Sequence, residues 1–203
     1  MSKTRVLFFD LETRKLAKDL RPDDEDAGWD ALRRGEGGIS ALVIYDTETN
    51  FCHMYDDHTI QSAARHLELG NVVVTHTGIR FDVPVIEGVL GRNLRLPYHY
   101  DIFAEVSTGL LARGLTAGLG DMKLERMTRQ NLGRGKINHG SHITELIKAG
   151  QWAKVFNYAA DDVRLTRDLF AKMCADGGLI SLNGQFLSLD IPEWIHGAVG
   201  ITR

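Results

Sequence analysis

One stretch, Val6 to Thr13 (V-L-F-F-D-L-E-T), restricts the fold of this chain more than any other. Its continuous apolar start predicts a strand covered on both faces, because a short apolar run suits a fully buried strand. Strand side chains alternate, so Asp10 and Glu12 project from one face, about 7 Å apart at about 3.3 Å per residue. Two carboxylates at a buried strand end repel each other and resist leaving water. Two readings follow. The acids leave the strand for solvent, or a divalent cation compensates them.

The length of 203 residues fits one domain over 1–203, and a chain that is 43% hydrophobic and 25% charged is ordinary for a globular protein. The net charge of -3 does not mark a nucleic-acid binder, but local patches set the field at a site. Cys52 and Cys174 lie too far apart for metal-ligand spacing and are expected to be buried thiols. With no signal peptide and no membrane-length apolar run in the sequence, the expected location is cytoplasmic, with no membrane partner.

After Thr13 the chain turns polar. Residues 19–30 hold acids against Arg21 alone, which predicts a solvated loop with a short helix at Gly28–Arg34. Ile39–Tyr45 and Phe51–Tyr55 predict a hairpin across the turn-rich 46–50. A helix over Thr59–Leu69, a buried strand over Asn71–Thr75 and a helix over Val83–Leu90 follow. A short strand leads to Asp101, and helices are expected over Ile102–Leu111, Met122–Leu132, around Leu146, over Trp152–Phe156 and over Tyr158–Met173. The tail predicts a small hairpin. This order implies an α/β fold with a mixed central sheet flanked by helices.

Two further acids stand in informative places. Asp82 (H-T-G-I-R-F-D-V-P) follows a predicted strand and opens a helix, where Asp serves either as an N-cap or as a ligand. Asp162 (Y-A-A-D-D-V-R) lies inside a predicted helix, which Asp does not favour. Tyr158 is four residues earlier and shares its face. The bland alternative for Asp162 is a surface acid beside Arg164 or Arg167. Asp101 has the position of a helix N-cap.

Together, D-L-E-T at Asp10–Thr13, F-D at Phe81–Asp82 and Y-x-x-x-D at Tyr158–Asp162 resemble the three motifs of the DEDD exonucleases, and Tyr158 points to the DEDDy branch. That family comprises 3′→5′ exonucleases with an RNase H-like fold, including polymerase proofreading domains. The closer resemblance is to RNase H-like exonuclease domains found beside helicase modules. It implies two Mg²⁺ or Mn²⁺ ions held by Asp10, Glu12, Asp82 and Asp162, with Tyr158 positioning the attacking water. It also implies a nucleic acid with a free 3′ end as partner, single-stranded DNA or RNA foremost, released as 5′-mononucleotides. A helicase or polymerase is the protein partner it suggests. Leu11, Thr13, His76, Thr77 and Phe81 are the implied nucleic-acid contacts. Phe81 either stacks on a base or packs in the core, and His76 either meets the terminal phosphate or caps a turn. One position departs from the pattern. Thr77 stands where the family commonly has an Asn that helps hold the terminal nucleotide.

The stretch Arg113–Lys136 carries six basic residues against Asp121 and Glu125. It is either a solvated helix face or a track for phosphates, with Lys123, Arg126 and Lys136 as expected contacts. His139 and His142 lack a third nearby ligand, so no zinc site is expected. The competing functions are a catalytically silent nucleic-acid or partner-binding module and an endonuclease of the same fold.

Overall fold

Alternation in β1 (Val6–Thr13) divides the protein into two cores. Val6 and Phe8 point into one hydrophobic cluster, and Leu7, Phe9 and Leu11 into another. Over Val6–Phe9 the strand has no solvated face, as its unbroken apolar run requires, while Asp10, Glu12 and Thr13 are half-buried. The computed structural model describes residues 4–115, 118, 122–136, 143–180 and 184–196.

Between β1 and β2 (Ile39–Asp46) lie two helices, α1 (Ala17–Leu20) and α2 (Glu25–Arg33). Next come β3 (Phe51–Tyr55), α3 (Ile60–Glu68), β4 (Val72–Thr75), α4 (Asp82–Leu90), β5 (His99–Asp101) and α5 (Ile102–Leu111). The described C-terminal elements are α6 (Leu124–Leu132), α7 (Ile143–Lys148), α8 (Trp152–Asp176), β6 (Gly178–Ile180), β7 (Phe186–Ser188) and α9 (Glu193–His196). Five strands form one sheet in the order β3-β2-β1-β4-β5. β2 is antiparallel to β1 and β3, whereas β4 runs parallel to β1 and β5. The sheet is therefore mixed and α/β, with β1 at its centre. β6 and β7 form the expected C-terminal hairpin.

One core lies between the sheet and α8, where Val163, Leu169 and Phe170 meet Val6 and Phe8. Phe170 meets the rings of Phe8 and Tyr100 at 5.8 and 5.1 Å between centroids, in edge-to-face contact. The other core packs Leu67 of α3 and Ile86 of α4 against Leu7 and Phe9.

Three expectations need correction. Trp152–Phe156 is not a separate helical piece but the start of the 25-residue α8. Gly150, at φ 65°, ends the preceding segment, and no Gly or Pro interrupts the chain from there to Gly177. α2 begins at Glu25 rather than Gly28, because Asp24 caps it by accepting the Ala27 N–H at 2.9 Å. The acids 24–26 thus serve a helix N-terminus. Cys52 is only half-buried, since it lies on the edge strand β3, while Cys174 is buried. No helix among the described residues is long and apolar enough to cross a membrane.

Candidate active site

β1 pairs with β4 only from Val6 to Phe8, so its acidic end runs on past the end of β4. Strand alternation puts Asp10 and Glu12 on the same face as Phe8, beneath α8. The pairing with β2 shifts register between Glu12 and Thr13, a bulge of the kind that re-aims side chains beside active sites. Ser40, opposite the shift, donates its hydroxyl to the Glu12 carbonyl at 2.8 Å.

Carboxylate oxygens of Asp10, Glu12 and Asp162 all lie within 4.8 Å of one another. Asp162 is buried on α8, not at the surface, and Asp161 takes the Arg164 ion pair at 2.7 Å instead. Asp82 is buried as the first residue of α4. The N-cap position belongs to Phe81, so Asp82 is not a conventional cap. Every predicted site residue except Arg126 lines a single cleft of about 1030 Å³.

Burial and mutual repulsion disturb these acids strongly. Burial first, then the charges of Asp82, Asp162 and Glu12, hold the Asp10 carboxyl well above its usual range. Burial and Asp162 push Glu12 up to about 8. Burial and Asp101 push Asp82 up to about 7, against the backbone N–H groups of Asp82 and Leu11. Burial also raises Asp162, opposed by Lys136. The Lys136 ammonium pairs with Asp162 and lies 3.4 Å from the Tyr158 hydroxyl. The anions around Lys136, Asp162 foremost, outweigh burial and raise its pKa. Burial and Asp162 push Tyr158 up to about 12, so the phenol keeps its proton at neutral pH.

The β4–α4 loop forms a further wall. Burial lowers His76 to about 4. Its Nε2 lies 2.9 Å from the Met122 carbonyl, which can only accept, so Nε2 carries the proton. Nδ1 is left to accept from the Thr77 hydroxyl at 3.1 Å. Both ring nitrogens are therefore engaged within the protein. Phe81 is half-buried against Trp29, with centroids 5.6 Å apart. Leu11 is buried in the second core, and Thr13 donates its hydroxyl to the Lys15 carbonyl at 2.8 Å.

Much of the basic run is paired within the protein. Arg129 meets Glu125 at 2.7 Å, Arg134 pairs with Asp168, and Arg113 donates to the Phe186 and Ser188 carbonyls. Lys123 and Arg126 are exposed, and of these two Lys123 lines the cleft. Asp121, His139 and His142 lie outside the described residues.

Sequence reasoning missed two features. Asp101 does cap α5 through the Ala104 N–H at 3.1 Å, but it also accepts from the Thr77 and Ile79 N–H groups and the Thr75 hydroxyl. It thereby shapes the whole loop that delivers Asp82. Trp29 fell in a stretch read as an acidic surface. A second group, Asp46, His53 and His66, also brings ligand atoms within 4.8 Å, but Arg5 already pairs with Asp46 at 2.6 Å.

The donor set consists of hard carboxylate oxygens, which fits Mg²⁺ or Mn²⁺ and not a thiolate-seeking metal. No family model matches the sequence, and no curated protein matches it. The fold is similar to that of a family B DNA polymerase from the hyperthermophilic archaeon Pyrobaculum calidifontis, at 17% identity and TM-score 0.59. The likeness covers 85% of this chain but only 25% of the polymerase chain. The mixed sheet and its flanking helices are RNase H-like.

Proposed function

We propose that residues 1–203 form one metal-dependent 3′→5′ exonuclease domain, hydrolysing phosphodiester bonds from a free 3′ end to release 5′-mononucleotides. One observation carries this reading: Asp10, Glu12 and Asp162 gather their oxygens within 4.8 Å at a cleft that also holds Asp82. Three carboxyls raised by burial and only partly offset by Lys136 form a site that would gain by taking up cations. Two bound Mg²⁺ or Mn²⁺ ions would supply the positive charge that lets a phosphate approach and that lowers the pKa of an attacking water.

The chain's own groups have separate tasks. Asp10, Glu12 and Asp162 would hold cations from β1 and α8, and Asp82 would do so from α4. Tyr158 keeps its proton and so orients a water or a phosphate oxygen by donating a hydrogen bond. Lys136 lines the same cleft, and its ammonium would meet an arriving phosphate. Thr77, His76 and Leu11 fix the loop and strand against which the terminal nucleotide lies, and Lys123 meets the backbone further out.

The test is digestion of end-labelled DNA and RNA, single- and double-stranded, with Mg²⁺ or Mn²⁺. Stepwise loss from unblocked 3′ ends is expected. Cutting of circular or 3′-blocked substrates would move the assignment to an endonuclease. The Lys136–Asp162 pair favours one second reading, a silent nucleic-acid-binding module that needs no metal. Retained binding without cutting under either metal would establish it.

A further inference from the structure

β1 and β2 pair antiparallel from Leu7↔Asp46 to Thr13↔Ile39, so a short turn would join them. Residues 14–38 stand there instead, and they fold against the cleft. Two glycines lock them in place. A Cβ on Gly28 of α2 would fall 2.3 Å from the Ala17 carbonyl oxygen of α1. A Cβ on Gly88 of α4 would fall 2.3 Å from the Arg34 carbonyl carbon just after α2. The excursion is thus a fixed wall rather than a loose loop.

That wall presents Trp29 to the cleft. Trp29 is 39% exposed, much for a large apolar residue to leave uncovered. Phe81, immediately before Asp82, meets it edge to face at an interplanar angle of 78°. The indole N–H turns back to Glu25 at 3.4 Å, which leaves the ring as the feature on offer. Lys18, Arg21, Arg33 and Arg80 line the same cleft, Arg21 paired with Glu36 at 3.0 Å and Arg33 with Asp30 at 2.6 Å. An open aromatic face among cations, beside a cluster of carboxylates, has the chemistry of a platform for a base with its phosphate. A volume of about 1030 Å³ reaches the upper limit of ordinary small-ligand sites, roughly 300–1,000 Å³, and so admits more than one nucleotide.

We infer that the α1–α2 excursion carries a base-stacking subsite in which Trp29, braced by Phe81, takes an unpaired base close to the 3′ end. A paired base presents its faces to its own neighbours and reaches such a platform only after unstacking. This inference rests on the exonuclease reading for its substrate, but the subsite can be tested without hydrolysis.

In a Trp152→Phe/Trp194→Phe background, Trp29 is the sole indole emitter. Titration with an oligothymidylate in EDTA should quench its emission, and a blunt duplex should not. Trp29→Ala should raise KM for the single strand roughly 5- to 150-fold, the span of one lost base stack, with Trp29→Phe recovering most of it. The p-nitrophenyl ester of thymidine 5′-monophosphate, tested on each variant, reads the metal site itself. An effect on the oligonucleotide at least about 5-fold larger than that on the ester supports the subsite. Unchanged emission, or equal quenching by the duplex, overturns it. If wild type quenches yet hydrolyses neither substrate with Mn²⁺, the subsite stands and the exonuclease reading falls.

Discussion

Lys136 pairs with Asp162 and stands 5.4 Å from the centre of the Tyr158 ring, so one ammonium group touches both members of the Y-x-x-x-D motif. It enters from 26 residues before Asp162, and its charge opposes the upward shifts of Asp10, Glu12, Asp82 and Asp162. Lys136→Met should lower the stability of metal-free protein by about 3 kcal/mol, the usual cost of orphaning a buried charge. Mn²⁺ should then restore more stability to the variant than it adds to wild type. Thermal melts in EDTA and in Mn²⁺ check both statements. Equal metal shifts in the two proteins would separate Lys136 from the proposed metal site.

Asp10 tests the same site from the opposite sign. Its neighbours Asp82, Asp162 and Glu12 all repel its charge. Asp10→Asn should therefore leave the metal-free fold as stable as wild type, or about 1 kcal/mol more stable, while nuclease activity falls at least about 1,000-fold. The melting shift with Mg²⁺ or Mn²⁺ should vanish as well. A variant that melts at the wild-type temperature in EDTA but still gains stability from Mn²⁺ would place the cation elsewhere.

Much of this was legible in the chain. A run as apolar as Val6–Phe9 has few alternatives to a central strand, and period-two geometry then aims Asp10 and Glu12 together. Tyr158 and Asp162 are four apart on a helix, so their shared face followed from the helical period. Long-range placement left no local trace. Nothing about Lys136 in a Gly-rich segment shows which carboxylate it will reach. The acids around Trp29 looked like a solvated face because cap and first-turn acids have the same composition as one. The run from Trp152 to Asp176 looked like two helices because its apolar stripe, read without packing partners, thins around Asn157.

Away from the cleft, Asp46 is fully buried at the end of β2 and sets a dependence on pH. Burial pushes its carboxyl up, but Arg5, the Glu48 N–H and His66 together pull it down to about 2. Because the folded pKa lies below the unfolded value of about 3.8, folding gains stability from the charged form. That contribution, about 2 kcal/mol, is complete above pH about 4 and disappears as pH falls through about 2. Arg5→Met should lower stability at neutral pH and flatten its dependence between pH 4 and 2. Urea unfolding across that range measures both.

Tyr100 offers a gain in stability. Its ring is 1% exposed beneath α8, and its hydroxyl finds no hydrogen-bond partner among the described residues. An unsatisfied buried hydroxyl costs about 1–3 kcal/mol. Tyr100→Phe should keep the edge contact with Phe170 and raise the melting temperature by about 2–4 °C for each kcal/mol recovered. A lower melting temperature would mean that the hydroxyl has a partner after all.

Thr77 holds φ at 74°, a left-handed conformation that a β-branched residue rarely adopts. It is kept there because Asp101 accepts its N–H at 3.2 Å and His76 accepts its hydroxyl at 3.1 Å. Asn tolerates this backbone better and is the residue the DEDD pattern commonly has at this place. Thr77→Asn should therefore stabilise the protein by about 1 kcal/mol, and Thr77→Gly should relieve the same strain. The two variants then part in activity. Asn adds an amide donor at a cleft-lining position and should lower KM for a 3′ end, whereas Gly removes the hydroxyl and should raise it. Steady-state kinetics on an oligonucleotide, read beside melting curves, separates strain from contact: matched stability with opposite shifts in KM is the expected pattern, and parallel shifts would show that backbone strain alone governs this position.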